Sequence, residues 1–228
     1  SAVPLVSSNG ELKDGFDGQM APTSYLLDAP YLLQVVASFN EVVARSRLMR
    51  LAPGAVVQEH VDFNYHWYSR VRIHVPIITE PTVRFFCGAD EVHMAAGEAW
   101  LFDSWRRHRV INGSANVRIH LVIDLAGSAA FWHMVRRVQR GEASSAPQSK
   151  PFEPDLNPEL TTERFPFAPV MAPGEMSAMV AELLDDCRAN KANDAHMLEY
   201  YHDVLFDLVH DWRRQWSLYG LTPEGIAG

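Results

Sequence analysis

The sequence predicts a mainly β protein, an antiparallel sandwich or barrel with flanking helices, and three observations carry that expectation. From Arg47 to Asp124 the chain breaks into short runs rich in Val, Ile and Phe. Turn signals separate them: Pro53-Gly54, Glu80-Pro81, Gly88-Ala89-Asp90, Ala96-Gly97-Glu98 and Asn112-Gly113. Two of the runs also alternate between apolar and polar residues. Short strands at this spacing, joined by Gly and Pro turns, suit antiparallel layers.

Ahead of the strands, residues 25–40 hold Tyr25, Leu26, Leu27, Leu32, Leu33, Val35 and Val36, which read as a packed helical stretch. Within the strands, Arg70–Ile77 sets Val71, Ile73, Val75 and Ile77 on one face and Arg70, Arg72 and His74 on the other. Val117–Asp124 likewise sets Val117, Ile119, Leu121 and Ile123 against Arg118 and His120. Strand side chains repeat every two residues, so each run buries one face and turns cationic or imidazole groups the other way. That second face is either wetted surface or the lining of a cavity for an anion. Residues 141–170 are rich in Pro and Ser and suit a linker or a covering segment. Beyond them, Met176, Met179, Val180, Leu183, Leu184 and Cys187 recur at helical spacing. So do Met197, Leu198, Tyr201, Val204, Leu205, Leu208, Val209, Trp212 and Trp216, after a cap at Asn193 or Asp194. The expected organisation is a β domain with its N-terminal helix over 1–140, a connector over 141–170, and a small helical unit over 171–228.

Composition narrows the function. The chain has 228 residues, 47% of them apolar, enough for one substantial core. A formal charge of −8 and a pI near 5.6 speak against a nucleic-acid partner, which demands a clustered basic surface. No apolar run approaches the roughly 20 residues of a membrane span, and Ser1-Ala2-Val3-Pro4 lacks the basic and apolar regions of a signal peptide. Cys87 and Cys187 are too few for a disulfide scaffold. The expectation is a cytoplasmic chain acting on a small molecule, with no nucleic acid and no membrane. The apolar stripes of the last helices suit a homodimer.

His60 and Asp62 sit two apart in a run that reads as strand, so both side chains face one way. With 10 His and 28 acidic residues in the chain, roughly one such pair is expected by chance. Its companions give it weight. His108 follows 48 positions later, after the run Ala99–Asp103, far enough for antiparallel strands to return beside His60. Two imidazoles and a carboxylate occupy one face of an octahedral iron and leave three positions open; the absence of thiolates argues against a structural zinc. Arg118 lies ten residues after His108, and a planar guanidinium can grip a carboxylate with two parallel bonds. Arg72 and His74 arrive on a strand between the two ligand segments, as a site for a dicarboxylate requires.

In order, Leu51-Ala52-Pro53-Gly54, His60, Arg70-Val71-Arg72-Ile73-His74, Phe102-Asp103 with His108, and Arg118-Ile119-His120-Leu121 resemble the aspartyl/asparaginyl β-hydroxylase family. The similarity covers about a third of the chain, residues 46–126. It implies a double-stranded β-helix fold (jelly roll, cupin-like) and an Fe(II)- and 2-oxoglutarate-dependent dioxygenase using O2. His60, Asp62 and His108 would then ligate iron, and Arg118 would hold the distal carboxylate of 2-oxoglutarate. Arg72 and His74 would meet cosubstrate or substrate carboxylates, and Arg70 would touch substrate. Animal aspartyl hydroxylases of this family carry Gly where Asp62 stands, whereas a full triad resembles the L-proline 3-hydroxylase branch. The resemblance therefore implies hydroxylation of a small, proline-like amino acid or related carboxylate, with peptidyl Asp or Asn as the alternative.

Other residues have two readings each. His66, beside Tyr65 and Trp67, reads as a loop or surface histidine within reach of substrate. Asp103 either orients His108 or caps the turn that follows it. Gly97-Glu98 with His108 and Asn112 also resembles the second motif of general cupins, a barrel shared by isomerases and ligand-binding modules.

Overall fold

The computed structural model describes every residue but 14, 16, 17, 63, 64, 143–148, 150, 166–169 and 228, and the side chain of 227. The chain divides into two compact units, Ser1–Pro166 and Phe167–Gly228.

In the first unit, β1 (Ala2–Ser8) and β2 (Met20–Pro22) precede two short helices, α1 (Ser24–Leu27) and α2 (Pro30–Ala37). The single helical stretch expected over 25–40 is thus split at Pro30, whose missing N–H suits the first turn of α2. The strands β3 (Val43–Leu51), β4 (Val56–His60), β5 (Val71–Ile78), β6 (Val83–Cys87), β7 (Asp90–Val92), β8 (Trp100–Leu101), β9 (His108–Asn112) and β10 (Arg118–Leu125) follow. A one-turn helix, α3 (Tyr65–Tyr68), sits between β4 and β5, and α4 (Ala129–Gln139) closes the run. One sheet has the order β2-β1-β3-β10-β5-β8 and the other β4-β9-β6-β7, with antiparallel neighbours throughout. Strands β3, β10, β5 and β8 against β4, β9, β6 and β7 are the two halves of a double-stranded β-helix.

The alternation in β5 and β10 decides what lies inside. Val71, Ile73, Leu121 and Ile123 join one buried cluster with Leu26, Leu33 and Val36 of the first helices and Phe131 of α4. The apolar face of the large sheet is therefore its helix-covered face. The opposite face carries Arg72, His74, Arg118, His120 and Asp124, all buried. The face is therefore buried and not wetted surface. A second cluster, Val83, Phe85, Met94 and Val110, gathers Leu51, Trp100 and Phe102 around it. Ile77 departs from the expected face and is exposed, because the β5–β10 register slips at Ile119/His120 opposite the end of β5.

Part of the stretch expected as connector, 143–148, 150 and 166–169, lies outside the described residues. The described part is bound to the first unit. Gln34 Nε2 donates to the carbonyls of Glu153 and Leu156 at 2.7 Å each, and Val43 bonds the backbone of Thr161 and Glu163.

In the second unit, α5 (Pro173–Ala189) lays Met176, Val180 and Leu184 against Leu205, Val209 and Trp212 of α6 (Ala195–Tyr219), and α7 (Pro223–Ala227) follows. Asp194 caps α6 by accepting from Met197 N–H. Tyr201, Val204 and Leu208 of the same predicted stripe are exposed. Among the described residues no helix is long and apolar enough to cross a membrane.

The spacing of the β9 and β10 ends depends on Asn112, which is fully buried. Its Nδ2 donates to the carbonyls of Ala52 and Asn116 at 2.9 Å and of Leu51 at 3.3 Å. Its Oδ1 accepts from Ser114 N–H and Oγ–H. Asn112→Ala leaves several buried groups without partners and should lower unfolding stability by roughly 3 kcal/mol, read from urea denaturation.

Candidate metal centre

β4 reaches its neighbour through a bulge. Val57 pairs with Val110, but the next paired residues are His60 and His108, so β4 carries one residue more than β9 over this stretch. Regular pairing would set Glu59 opposite His108; the extra residue brings His60 there instead. The two imidazole centroids are 4.3 Å apart. Asp62 lies just past the end of β4 rather than within a strand, its N–H held by the Ser104 carbonyl at 3.0 Å. One ligand atom from each of His60, Asp62 and His108 falls within 4.8 Å of the others.

The backbone fixes which atoms these are. His60 Nδ1 meets the Gln58 carbonyl at 2.8 Å, and His108 Nδ1 meets the Arg106 carbonyl at 2.9 Å. A carbonyl only accepts, so both Nδ1 atoms carry the proton and both Nε2 lone pairs are free. Burial lowers the pKa of His108 and so favours its neutral form, a shift that the carbonyl bond opposes without reversing. His108 is enclosed, with Phe102 and Phe85 packed on its ring at 5.1 and 6.0 Å. The His60 side chain is 42% exposed and opens the centre to solvent. Two imidazole nitrogens and a carboxylate oxygen are a donor set that fits a divalent first-row ion. Cys87 is paired with His108 across β6 and β9 but stands outside the cluster, its thiol directed to the Asp103 carbonyl.

Behind the triad lies a buried charge cluster. Arg72 Nη1 donates to Asp62 Oδ2 at 2.7 Å, while Nε and Nη2 donate to the two oxygens of Asp124 at 2.8 and 3.1 Å. Asp124 also receives His66 Nε2 at 3.2 Å and faces Arg45 at 3.5 Å. Burial alone would raise the Asp124 carboxyl, but Arg72 and the bonds from His66 and Arg72 hold it well below the usual carboxylate range. Burial would lower the Arg72 pKa, yet Asp124 and Asp62 raise it. Arg72, expected to meet a cosubstrate or substrate carboxylate, is bonded in the structure to two of the protein's own carboxylates. Arg70, expected at substrate, grips Glu163 through both oxygens at 2.5 and 2.6 Å and donates to the His66 carbonyl. His66 is buried rather than at the surface.

Arg118 is different. It is 5% exposed, and among the described residues no carboxylate pairs with it. Its Nη2 donates to His120 Nδ1 at 2.7 Å, and its Nε has no partner. Burial pushes its pKa down to about 10. His120 accepts through Nδ1, so its proton sits on Nε2, also unpartnered, as is Nδ1 of His74. The His74 and His120 rings meet at 5.8 Å. Burial first, then the Arg118 charge, drives both imidazoles well below their usual pKa.

Two smaller readings also resolve. Asp103 caps its own turn through Trp105 N–H and leaves His108 to the Arg106 carbonyl. Glu98, singled out by the cupin resemblance, accepts from Ala95 N–H and Trp100 Nε1 and is not in the triad. Asp124 and Arg45 were missed by sequence reasoning. Asp124 was within reach, since it continues the Arg118 and His120 face by two-residue steps.

His74 and His120 stay neutral when folded, whereas both take up a proton near pH 6.5 when unfolded. Below that pH the unfolded chain binds more protons, so stability is complete above about pH 6.5 and falls as the solution is acidified. Between pH 7.5 and 5.5 the urea midpoint of the metal-free protein should drop, with a loss of roughly 1.4 kcal/mol per pH unit per group below pH 6.5. A flat profile would show that these imidazoles titrate normally.

The aspartyl/asparaginyl β-hydroxylase family matches over residues 16–127. L-proline cis-3-hydroxylase 2 from a Streptomyces species is 27% identical over 177 residues, 71% of this chain and 58% of that protein; the chain spans less than two thirds of this relative. Among solved structures, a predicted oxalate decarboxylase from Thermotoga maritima matches at 16% identity over 55% of this chain and 93% of its own, with a TM-score of 0.32. A cupin 2 conserved barrel domain protein from Salinispora arenicola matches at 18% identity over 42% and 71%, with a TM-score of 0.29. Likeness at these scores adds nothing to the strand order itself. Residues 16–127 are thus similar to the aspartyl/asparaginyl β-hydroxylase family, and the chain over 177 residues to an L-proline cis-3-hydroxylase.

Proposed function

We propose that the chain is an iron(II)- and 2-oxoglutarate-dependent dioxygenase that hydroxylates an unactivated C–H bond of a small, proline-like amino acid or a related carboxylate. The observation that carries this reading is the buried Arg118 guanidinium, unpaired with any described carboxylate, in the same β-helix interior as a His-Asp-His cluster. An uncompensated buried cation is costly unless an anion arrives to meet it. A relative named L-proline cis-3-hydroxylase 2 supports the substrate class.

His60 Nε2, Asp62 Oδ1 and His108 Nε2 would hold the iron. Bound iron(II) with 2-oxoglutarate and O2 supplies the oxidising power that converts C–H to C–OH, with succinate and CO2 as co-products. The chain's own contribution is placement. Arg118 would take the distal carboxylate of the cosubstrate in its fork, with its plane set by His120. His120 does this as a neutral acceptor, so the positive charge is aligned without being cancelled. His74 Nδ1 offers a further polar contact on the same lining. Phe85 and Phe102 keep water from one side of the His108 ring.

Anaerobic addition of Fe(II) and 2-oxoglutarate should produce the weak visible charge-transfer band of the chelate in the wild type and none in His108→Ala. Arg118→Ala should weaken 2-oxoglutarate roughly 100-fold while leaving iron affinity within about threefold. Free amino acids, proline first, are then screened for succinate release above the uncoupled background. Release only with an Asp- or Asn-bearing peptide would move the assignment to peptidyl hydroxylation. A band that survives loss of His108 would sink the ligand assignment.

A further inference from the structure

We infer that Arg72 is the positioning residue that makes Asp62 a one-oxygen ligand, with Asp124 as its anchor; the inference rests on the metal-centre reading above. The Asp62 carboxylate is divided between two tasks. Its Oδ2 accepts from Arg72 Nη1 at 2.7 Å, and its Oδ1 lies 3.8 Å from His60 Nε2, on the side of the cluster. A carboxylate with both oxygens free can bind an ion through both. That would occupy four of six octahedral positions and leave two, whereas two imidazoles and a single oxygen leave three. Holding Oδ2 back is how the chain keeps the third position open.

Arg72 can do this because the rest of its fork is immobilised. Nε and Nη2 are tied to Asp124, and the Trp67 ring lies 4.8 Å from its guanidinium carbon. Nη1 is thereby aimed at a fixed point. Asp124 is in turn held by His66 and by Arg45, and it pairs across the β10–β5 ladder with Arg72 itself. The register that sets Asp124 beside Arg72 thus sets the direction in which Asp62 presents its free oxygen. Lysine offers a point charge in place of this planar fork and cannot hold two carboxylates at a defined angle.

A competing account is that Arg72 only neutralises Asp124 and so supports the fold. The two accounts part in a double-mutant cycle with Co(II) as the probe ion, followed by calorimetry and by its visible absorption, which reports coordination number. With Asp62 present, Arg72→Gln should weaken Co(II) about 10- to 100-fold and alter the visible band. In the Asp62→Ala background the same change should alter affinity by less than about twofold. Equal weakening in both backgrounds overturns the inference, as does unchanged affinity in the first. Should circular dichroism show Arg72→Gln unfolded, Arg72→Lys keeps the buried charge while losing the fork. It is carried through the same cycle, with the same coupling expected and its absence equally fatal. If Asp62→Ala alone leaves Co(II) binding intact, the metal-centre reading itself fails. Loss there with no coupling to Arg72 removes only the present inference.

Discussion

Three groups converge on the Asp124 carboxylate: Arg72 through two bonds, His66 at 3.2 Å and Arg45 at 3.5 Å. They do so on the inner face of a β-sheet, where Asp124 is 2% exposed. Gathering cations there without a central anion would combine repulsion with the loss of hydration, and no apolar packing of this size offsets both. One buried carboxylate therefore permits a polar lining in a fold that elsewhere closes on hydrocarbon. Burying it without Arg72 would be equally unfavourable. The two residues stand or fall together, and the strand pairing that sets them side by side is shared with the rest of the sheet.

Two of the guanidiniums on this face have opposite fates. Arg72 is saturated by protein carboxylates and contributes geometry. Arg118, on the next strand, meets only a neutral imidazole and retains an unsatisfied Nε. The difference comes from neighbours rather than from residue type. Asp124 is the cross-strand partner of Arg72, whereas Arg118 at the far end of β10 pairs with Leu51.

Much of this was legible in the sequence because strands advertise their faces. The alternation in Arg70–Ile77 and Val117–Asp124 separated the helix-covered side from the polar side, and the spacing of His60, Asp62 and His108 marked the cluster. The division of labour between the arginines was not legible. Whether a guanidinium on a polar face waits for a ligand or already has a carboxylate depends on register between strands tens of residues apart. The burial of His66 was hidden for the same reason, since its partner Asp124 lies 58 positions away. Glu163, which pairs with Arg70, comes from the Pro-rich stretch that composition alone marks as connector. The second unit shows the limit of periodicity from another side. The stripe on α6 was read correctly as apolar, but only Leu205, Val209 and Trp212 of it join the cluster with α5.

The bulge in β4 makes the identity of the first imidazole a matter of counting. His60 stands opposite His108 only because β4 holds a surplus residue between Val57 and that point. Were the same residues paired without the bulge, the pleat would present Glu59 in that place, turning a nitrogen-rich donor set into one dominated by oxygen, which harder ions such as manganese or magnesium prefer. The donor set of this cluster is thus written in the pairing of a strand as much as in the letters along it.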